Sequence, residues 1–447
     1  MPITLDLPNR RLALLAGAFF VAALVLQLPG NVPYDGIVVW HEAVTHTLYA
    51  QHPAALVLIW RLCQMVLPGP ALFTAFSLGV LWLAVAILLL HHRPPLWAAL
   101  AFCIVMLLWP PLFATAGVTV KDVLGAHLVL LAFALADGKR PGAWFVAFAA
   151  TTLSFLLRYQ FGLFLPVLGW MWWKQRDRPT AFAALAGVAV TVVAVNILVA
   201  ALFARTGPND VEQSLRKIAI FDIAGTLAHD PSAPLTVFAK HGVDTVELKR
   251  EMAEQYSPVR VDTLWQAKDA SGTITPASGV FGRLYPLPNP VIFDQWRSIV
   301  RIRPAAFLAH RSAAFARVIG LGDIWQCRPV TAGISWLPRP AATAINAKAI
   351  APPLSAEVMT SRYFPVSLSF RAAAYLVLLL AVLLIGPAAA RPLAVFALLY
   401  ELSFYLLPQA CEVRYAYPAM IAAIVGGAMT VHRYLYDYSR VPGAIGI

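Results

Sequence analysis

Charge is scarce in this chain. Asp, Glu, Lys and Arg make up 13% of its 447 residues, where a water-soluble domain carries about a quarter. Hydrophobic residues make up 60% and the mean hydropathy is +0.70. One water-soluble core is excluded, because too little polar surface is left to wrap so much apolar material. Cysteine is equally scarce: Cys63, Cys103, Cys327 and Cys411 are the whole set. That excludes a disulfide-rich framework, and their spacing is not that of a zinc site. The chain has no Asp-x-Asp motif and no dense carboxylate cluster of that kind, so no metal site is predicted. There is no internal repeat, no low-complexity segment and no basic tract interleaved with aromatics, so the net charge of +12 does not point to nucleic acid. No small-residue cleavage site follows the first apolar run, which therefore reads as a retained helix, not a signal peptide.

Long apolar runs are what the chain has instead. Hydrocarbon admits only helices and closed barrels. These runs are rich in Leu, Ala and Val without the alternation of a barrel strand, so they read as helices. A span needs about 20 apolar residues. Leu12–Leu28, Leu72–Leu90, Ala181–Phe203, Ser367–Ile385, Pro392–Leu407 and Ala416–Val431 qualify. Four shorter runs, Leu96–Phe113, Val123–Ala136, Ala143–Leu157 and Phe161–Trp173, read as two hairpins. The fold class expected is an all-α polytopic membrane protein of about ten transmembrane helices. Its two membrane modules, 1–204 and 366–447, flank a mainly helical domain at 205–365.

Basic residues mark cytoplasmic ends. Arg10 and Arg11, Arg93, Lys139 and Arg140, Lys174 with Arg176 and Arg178, Arg391, and Arg433 occupy every second connection. All of them fall on the cytoplasmic side if both termini are inside. The opposite side then receives the loop 29–70 and the domain 205–365. Helical patterns are expected there over Asp210–Ala228 and Asp294–Leu321. Cys63 and Cys103 lie in apolar stretches and read as packing residues. Cys327 and Cys411 share the outer side, which permits a disulfide without requiring one.

Ionisable groups close to hydrocarbon are costly and mark function by default. The outer connections hold Asp35, His41-Glu42, His52-Pro53, Lys121-Asp122, Arg158-Tyr159, and Glu412 with Arg414-Tyr415. They are remote in sequence and share one membrane face. Glu401, inside an apolar run, reads as a buried structural pair, with Arg371 as a candidate partner.

The order and sidedness of these residues resemble a known family. An acid (Asp35) follows the first helix, and His52-Pro53-Ala54-Ala55-Leu56 opens an apolar helix. A short loop reads Val118-Thr119-Val120-Lys121-Asp122-Val123-Leu124. Leu157-Arg158-Tyr159-Gln160 and Phe221-Asp222-Ile223-Ala224-Gly225 follow. Then come Arg303-Pro304 through His310-Arg311, and Arg414-Tyr415-Ala416-Tyr417-Pro418. In layout, the chain is similar to bacterial members of the C-type glycosyltransferase superfamily (GT-C), polytopic enzymes that use polyprenyl-phosphate sugars.

The resemblance implies an inner-membrane enzyme whose site faces the exterior. It would move a sugar, with inversion, from a polyprenyl-phosphate donor to a glycan or lipid acceptor. Asp35 would be the general base. Lys121, Arg158 and Arg414 would stabilise the departing phosphate, the arginines bidentately and the lysine as a point charge. His41, Glu42, Asp122, Tyr415 and Arg311 would support them. No cofactor beyond the donor lipid is implied, and the partners are the membrane, the lipid-linked sugar and the acceptor. A transporter or flippase of lipid-linked sugars, or a polysaccharide polymerase or ligase, would use the same helix count and outer cations. Transporters, however, show repeats or helices broken at mid-membrane, and neither is evident here.

Overall fold

The computed structural model describes residues 7–48, 52–137, 141–174, 178–205, 210–268, 274–276, 279–327, 355, 358, 363–408 and 410–436. About 81% of it is helical. Strand is confined, among the described residues, to two short two-stranded pairs, so the class is all-α. The chain divides into two compact units: 1–207 with 329–400 and 413–447, and 208–328 with 401–412.

In the first unit the helices are α1 (Leu7–Gln27), α2 (Tyr34–Thr45), α3 (Ala54–Val66), α4 (Ala71–His92), α5 (Leu96–Leu108), α6 (Pro110–Thr115), α7 (Lys121–Asp137), α8 (Pro141–Leu157), α9 (Phe164–Trp173) and α10 (Arg178–Leu202). Each apolar run of this region forms a helix. Two are interrupted where the backbone chemistry requires it. The run 96–113 breaks at Trp109, because Pro110 and Pro111 lack the N–H that a continuing helix needs. The run 161–173 opens with a 3₁₀ turn, Tyr159–Leu163. α8 packs between α7 and α10, and α4 packs on α1 and α7.

Among the described residues, three helices are long and apolar enough to cross a membrane: Pro8–Gln27, Ala71–His92 and Ala181–Leu202. Shorter apolar helices include Ala54–Val66, Leu96–Leu108, Gly142–Leu157 and Ala372–Ile385. Among the basic end residues, Lys139, Arg140 and Arg176 lie outside the described residues.

The second unit carries α11 (Asp210–His229), α12 (Thr236–Lys240), α13 (Thr245–Gln255), α14 (Val280–Leu284), α15 (Asn289–Ile302) and α16 (Pro304–Val318). α11 is the central element and packs on α13, α15 and α16. Its buried face, Ile220, Phe221, Ile223, Ala224 and Leu227, meets Leu248, Met252, Ile292 and Ala314. The single helix expected over 294–321 is two helices. Pro304 removes an N–H and restricts Arg303, which takes φ −129°, ψ 55° and ends α15.

The remaining helices are α17 (Ala372–Ile385), α18 (Arg391–Leu406) and α19 (Val413–Tyr436). α19 packs on α7 and α17. α18 changes unit within its length, since Tyr400 belongs to the first and Glu401 to the second. The second unit therefore joins 401–412 to 208–328. Covalent and polar ties explain the recruitment. Cys327 and Cys411 form a disulfide with Cα atoms 4.8 Å apart, and the Cys411 N–H donates to the Val259 carbonyl at 2.7 Å. Cys63 and Cys103 are free and buried, and Glu401 is fully buried.

Candidate functional site

The charged residues of the first unit gather where three helices begin. Asp35 lies in the first turn of α2 and Asp122 in the first turn of α7. Arg414 is the second residue of α19. Helix N-termini carry partial positive charge and exposed N–H groups, so this junction favours anions.

Backbone pairing sets the junction. The Asn31 N–H donates to Gly117 O at 2.9 Å, and the Thr119 N–H donates to Asn31 O at 2.9 Å. This parallel bridge ties the segment after α1 to the segment before α7, four residues from Asp35 on one side and three from Lys121 on the other. Gly30 makes the crossing feasible. Its φ is +112°, and a Cβ there would strike the Thr74 side chain.

Asp122 is the centre of the cluster and is fully buried. It pairs with Arg158, and Arg414 Nε stands 3.7 Å from its other oxygen. Arg158 sits between the end of α8 and the 3₁₀ turn, and its Nε–H donates to Gln160 Oε1 at 2.8 Å. Arg414 Nη2 donates to Asp35 Oδ2 at 2.7 Å. The Tyr415 ring is shared by both guanidinium groups, 4.4 Å from Arg158 Cζ and 5.5 Å from Arg414 Cζ. Such cation–π contacts fix the planes of both cations.

Burial alone would push the Asp35 carboxyl up. The Arg414 guanidinium, with His52 and Lys121 in electrostatic reach, reverses this and holds its pKa well below the usual carboxylate range. The Asp35 side chain keeps 40% of its surface open to solvent, so water screens part of that attraction. Glu42 is fully buried and faces His52 Nδ1 at 3.6 Å. With Lys121, Arg158 and Arg414 set against Asp35 and Asp122, one positive charge is in surplus before His52 and Glu42 are added.

The site therefore unites Asp35, Lys121, Asp122, Arg158, Arg414 and Tyr415, and places the Glu42–His52 pair within the same unit. His41 precedes Glu42 on α2, so their side chains diverge by about 100° around the helix; His41 is half-buried and Glu42 is not exposed at all.

Arg311 belongs to the second unit and is engaged there. Its Nη2 donates to Asp222 Oδ2, and its Nη1 donates to the carbonyls of Tyr405 (3.1 Å) and Leu406. A guanidinium with a buried carboxylate and two helix-terminal carbonyls around it has a structural role. Asp222 also accepts from Trp296 Nε1 at 2.8 Å and from His310 Nε2 at 3.2 Å. A carboxylate only accepts, so Nε2 carries the proton and Nδ1 accepts from the Tyr256 hydroxyl at 2.8 Å. Desolvation lowers the His310 pKa, only partly offset by Asp222. Gly225 leaves the room this ring needs, since a Cβ there would collide with the imidazole. The Asp222 and Gly225 of the sequence pattern thus build the second unit's buried network.

His127 escaped sequence reading. It is fully buried in α7, one and a half turns beyond Asp122. Its Nδ1–H donates to Ser77 O at 2.9 Å, so Nε2 accepts from the Tyr417 hydroxyl at 2.7 Å. This link joins α4, α7 and α19, the last two of which carry Asp122 and Arg414 in their first turns. A lone histidine in an apolar run gives no sign of its partners. No protein family, curated protein or solved structure matches the chain.

Proposed function

We propose that the chain is a GT-C-type membrane glycosyltransferase, with about ten membrane-crossing helices and the Asp35 cluster facing the exterior of a bacterial inner membrane. The observation that carries the reading is the convergence of Asp35, Asp122, Arg158 and Arg414, from four distant segments, at three helix N-termini. A solvent-accessible carboxylate beside surplus cations is what sugar transfer from a phosphate-linked donor requires.

Spacing supports the membrane. Arg414 and Arg433 lie 19 residues apart on α19, or about 28 Å at 1.5 Å per residue, close to the roughly 30 Å of a hydrocarbon core. Asp35 takes the proton of an acceptor hydroxyl as that oxygen attacks the anomeric carbon. The bond from that carbon to the phosphate oxygen breaks, and the phosphate leaves with the electron pair. Lys121, Arg158 and Arg414 receive the growing negative charge. Because Arg414 also holds Asp35, a phosphate drawing on that guanidinium weakens its grip and raises the proton affinity of the base. Donor binding would thus activate Asp35.

The test is transfer from a labelled polyprenyl-phosphate sugar by the purified chain in lipid vesicles, supplied with cell-envelope glycan and lipid acceptors. Activity that disappears in Asp35→Asn, with an unchanged melting curve, is expected. Product formed equally by the variant removes Asp35 as base. Unmodified donor crossing the bilayer supports transport instead. Cysteine labelling that puts residues 35 and 433 in the same compartment ends the membrane assignment.

A further inference from the structure

One wide cavity of the first unit lies away from the charge cluster. Helices α4, α5, α17 and α19 enclose a half-open apolar space of about 1070 Å³ toward the C-terminal ends of α4, α17 and α19. Leu88, Val105, Leu378, Val382 and Ile424 line its walls, and His92, Arg391, His432 and Arg433 stand among its lining residues. The apolar wall and the basic residues are segregated: Arg391 lies at the start of α18, and His432 and Arg433 lie within the last turns of α19.

Asp137, at the end of α7, faces His91 and His92, each at 3.3 Å. Among the described residues neither Arg391 nor Arg433 has a carboxylate partner. Arg391 Nε is buried without a hydrogen-bond acceptor, and leaving a buried guanidinium N–H unmatched is costly. An anionic group would match this guanidinium, and an apolar body joined to it would match the walls between the helices.

We propose that this cavity binds an anionic phospholipid, its phosphate on Arg391 and Arg433 and its hydrocarbon chains against α5, α17 and α19. It is a second lipid site, at the helix ends remote from Asp35. It requires the helices to stand in a bilayer but does not rest on the transferase reading. Arginine suits the headgroup because its fork of donors matches phosphate oxygens.

The experiment uses the full purified chain in a phosphate-free detergent, with bound lipid read by native mass spectrometry. Dioleoyl phosphatidylglycerol, dioleoylglycerol and inorganic phosphate are titrated in parallel. The expected order is phosphatidylglycerol well above the other two. The rim variant Arg391→Gln with Arg433→Gln should weaken phosphatidylglycerol at least tenfold. A filled cavity, Ala381→Trp, should remove it while the lipid-free melting curve stays in place. If Ala381→Trp misfolds, the rim variant decides alone, since both arginines lie at the margin of the bundle. Equal binding of dioleoylglycerol, or an undiminished signal in the rim variant, overturns the proposal and leaves only non-specific annular lipid. Inorganic phosphate binding as tightly as the lipid also overturns it, because the apolar walls would then contribute nothing. None of these outcomes touches Asp35, so failure here is separable from failure of the transferase reading.

Discussion

Replacing Asp222 or Arg311 should release the second unit locally, and the size of the effect follows from the contacts. Asp222 is fully buried and receives three donors: Trp296 Nε1, His310 Nε2 and Arg311 Nη2. Asp222→Asn keeps the shape but offers Arg311 a neutral amide, one edge of which is a donor facing a donor. Arg311 is 4% exposed, so its charge would remain in a dry site without a counter-ion. Breaking a buried pair from one side costs about 3–5 kcal/mol. Arg311→Met costs a similar amount from the other side. It also strips the donor from the Tyr405 and Leu406 carbonyls, so 401–412 should loosen with α11 and α16. The double variant Asp222→Asn with Arg311→Met carries no buried charge at this point. It should recover most of the loss, because a neutral replacement of a buried pair is often close to neutral in stability. Hydrogen–deuterium exchange of the full chain in lipid nanodiscs resolves the regions. Each single variant should speed exchange in α11 and α16 by roughly two to three and a half powers of ten, and the double variant by about one. Single variants that cost under about 1 kcal/mol, or a double variant equal to the sum of the singles, would refute the claim that charge pairing holds this network.

Further outcomes follow from the same contacts. His310 is held neutral, with its pKa below the ordinary imidazole value near 6.5. The unfolded chain then binds the extra proton, so the second unit should be fully stable above that value and lose stability as pH falls below it. Melting curves from pH 8 to 5 test this, and His310→Gln should flatten the slope. Gly225→Ala should push the imidazole off Asp222 and lower the melting temperature, a clash worth about 1–3 kcal/mol; an unchanged Tm would mean the ring has another place to go. Alkylation without reduction should label neither Cys327 nor Cys411, and Cys411→Ser should destabilise the second unit by about 2–5 kcal/mol for a closed loop of this length. His127→Phe leaves the Tyr417 hydroxyl without its acceptor in a buried site. It should cost about 1–3 kcal/mol, measured by thermal unfolding in detergent, and a loss under about 0.5 kcal/mol would show that the three helices align without it.

Particular elements show how far the chain's own chemistry reached. Hydropathy located most apolar helices of the first unit within a few residues, Ala54–Val66 excepted, because the segregation of apolar from polar stretches is a one-dimensional property. Pro110, Pro111 and Pro304 mark where helices stop, since a missing N–H acts on its own turn. Membership of the Asp35 site was partly legible. Asp35, Lys121, Asp122, Arg158, Arg414 and Tyr415 stand at run boundaries, where an ionisable residue is conspicuous. Arg311 was not separable from them, because a cation beside an apolar run looks the same whether it awaits an anion or already holds Asp222.

Class and helix positions belong to the sequence, since composition and periodicity act locally and need no partner. Which charges meet was decided in three dimensions. The Asn31–Val118 bridge brings Asp35 to Lys121 across 86 residues, and the link from Ser77 through His127 to Tyr417 joins the helices that carry Asp122 and Arg414. The Cys327–Cys411 bond draws 401–412 out of the first unit. Each of these is a pairing between groups distant along the chain, and its energy exists only once both partners are in place.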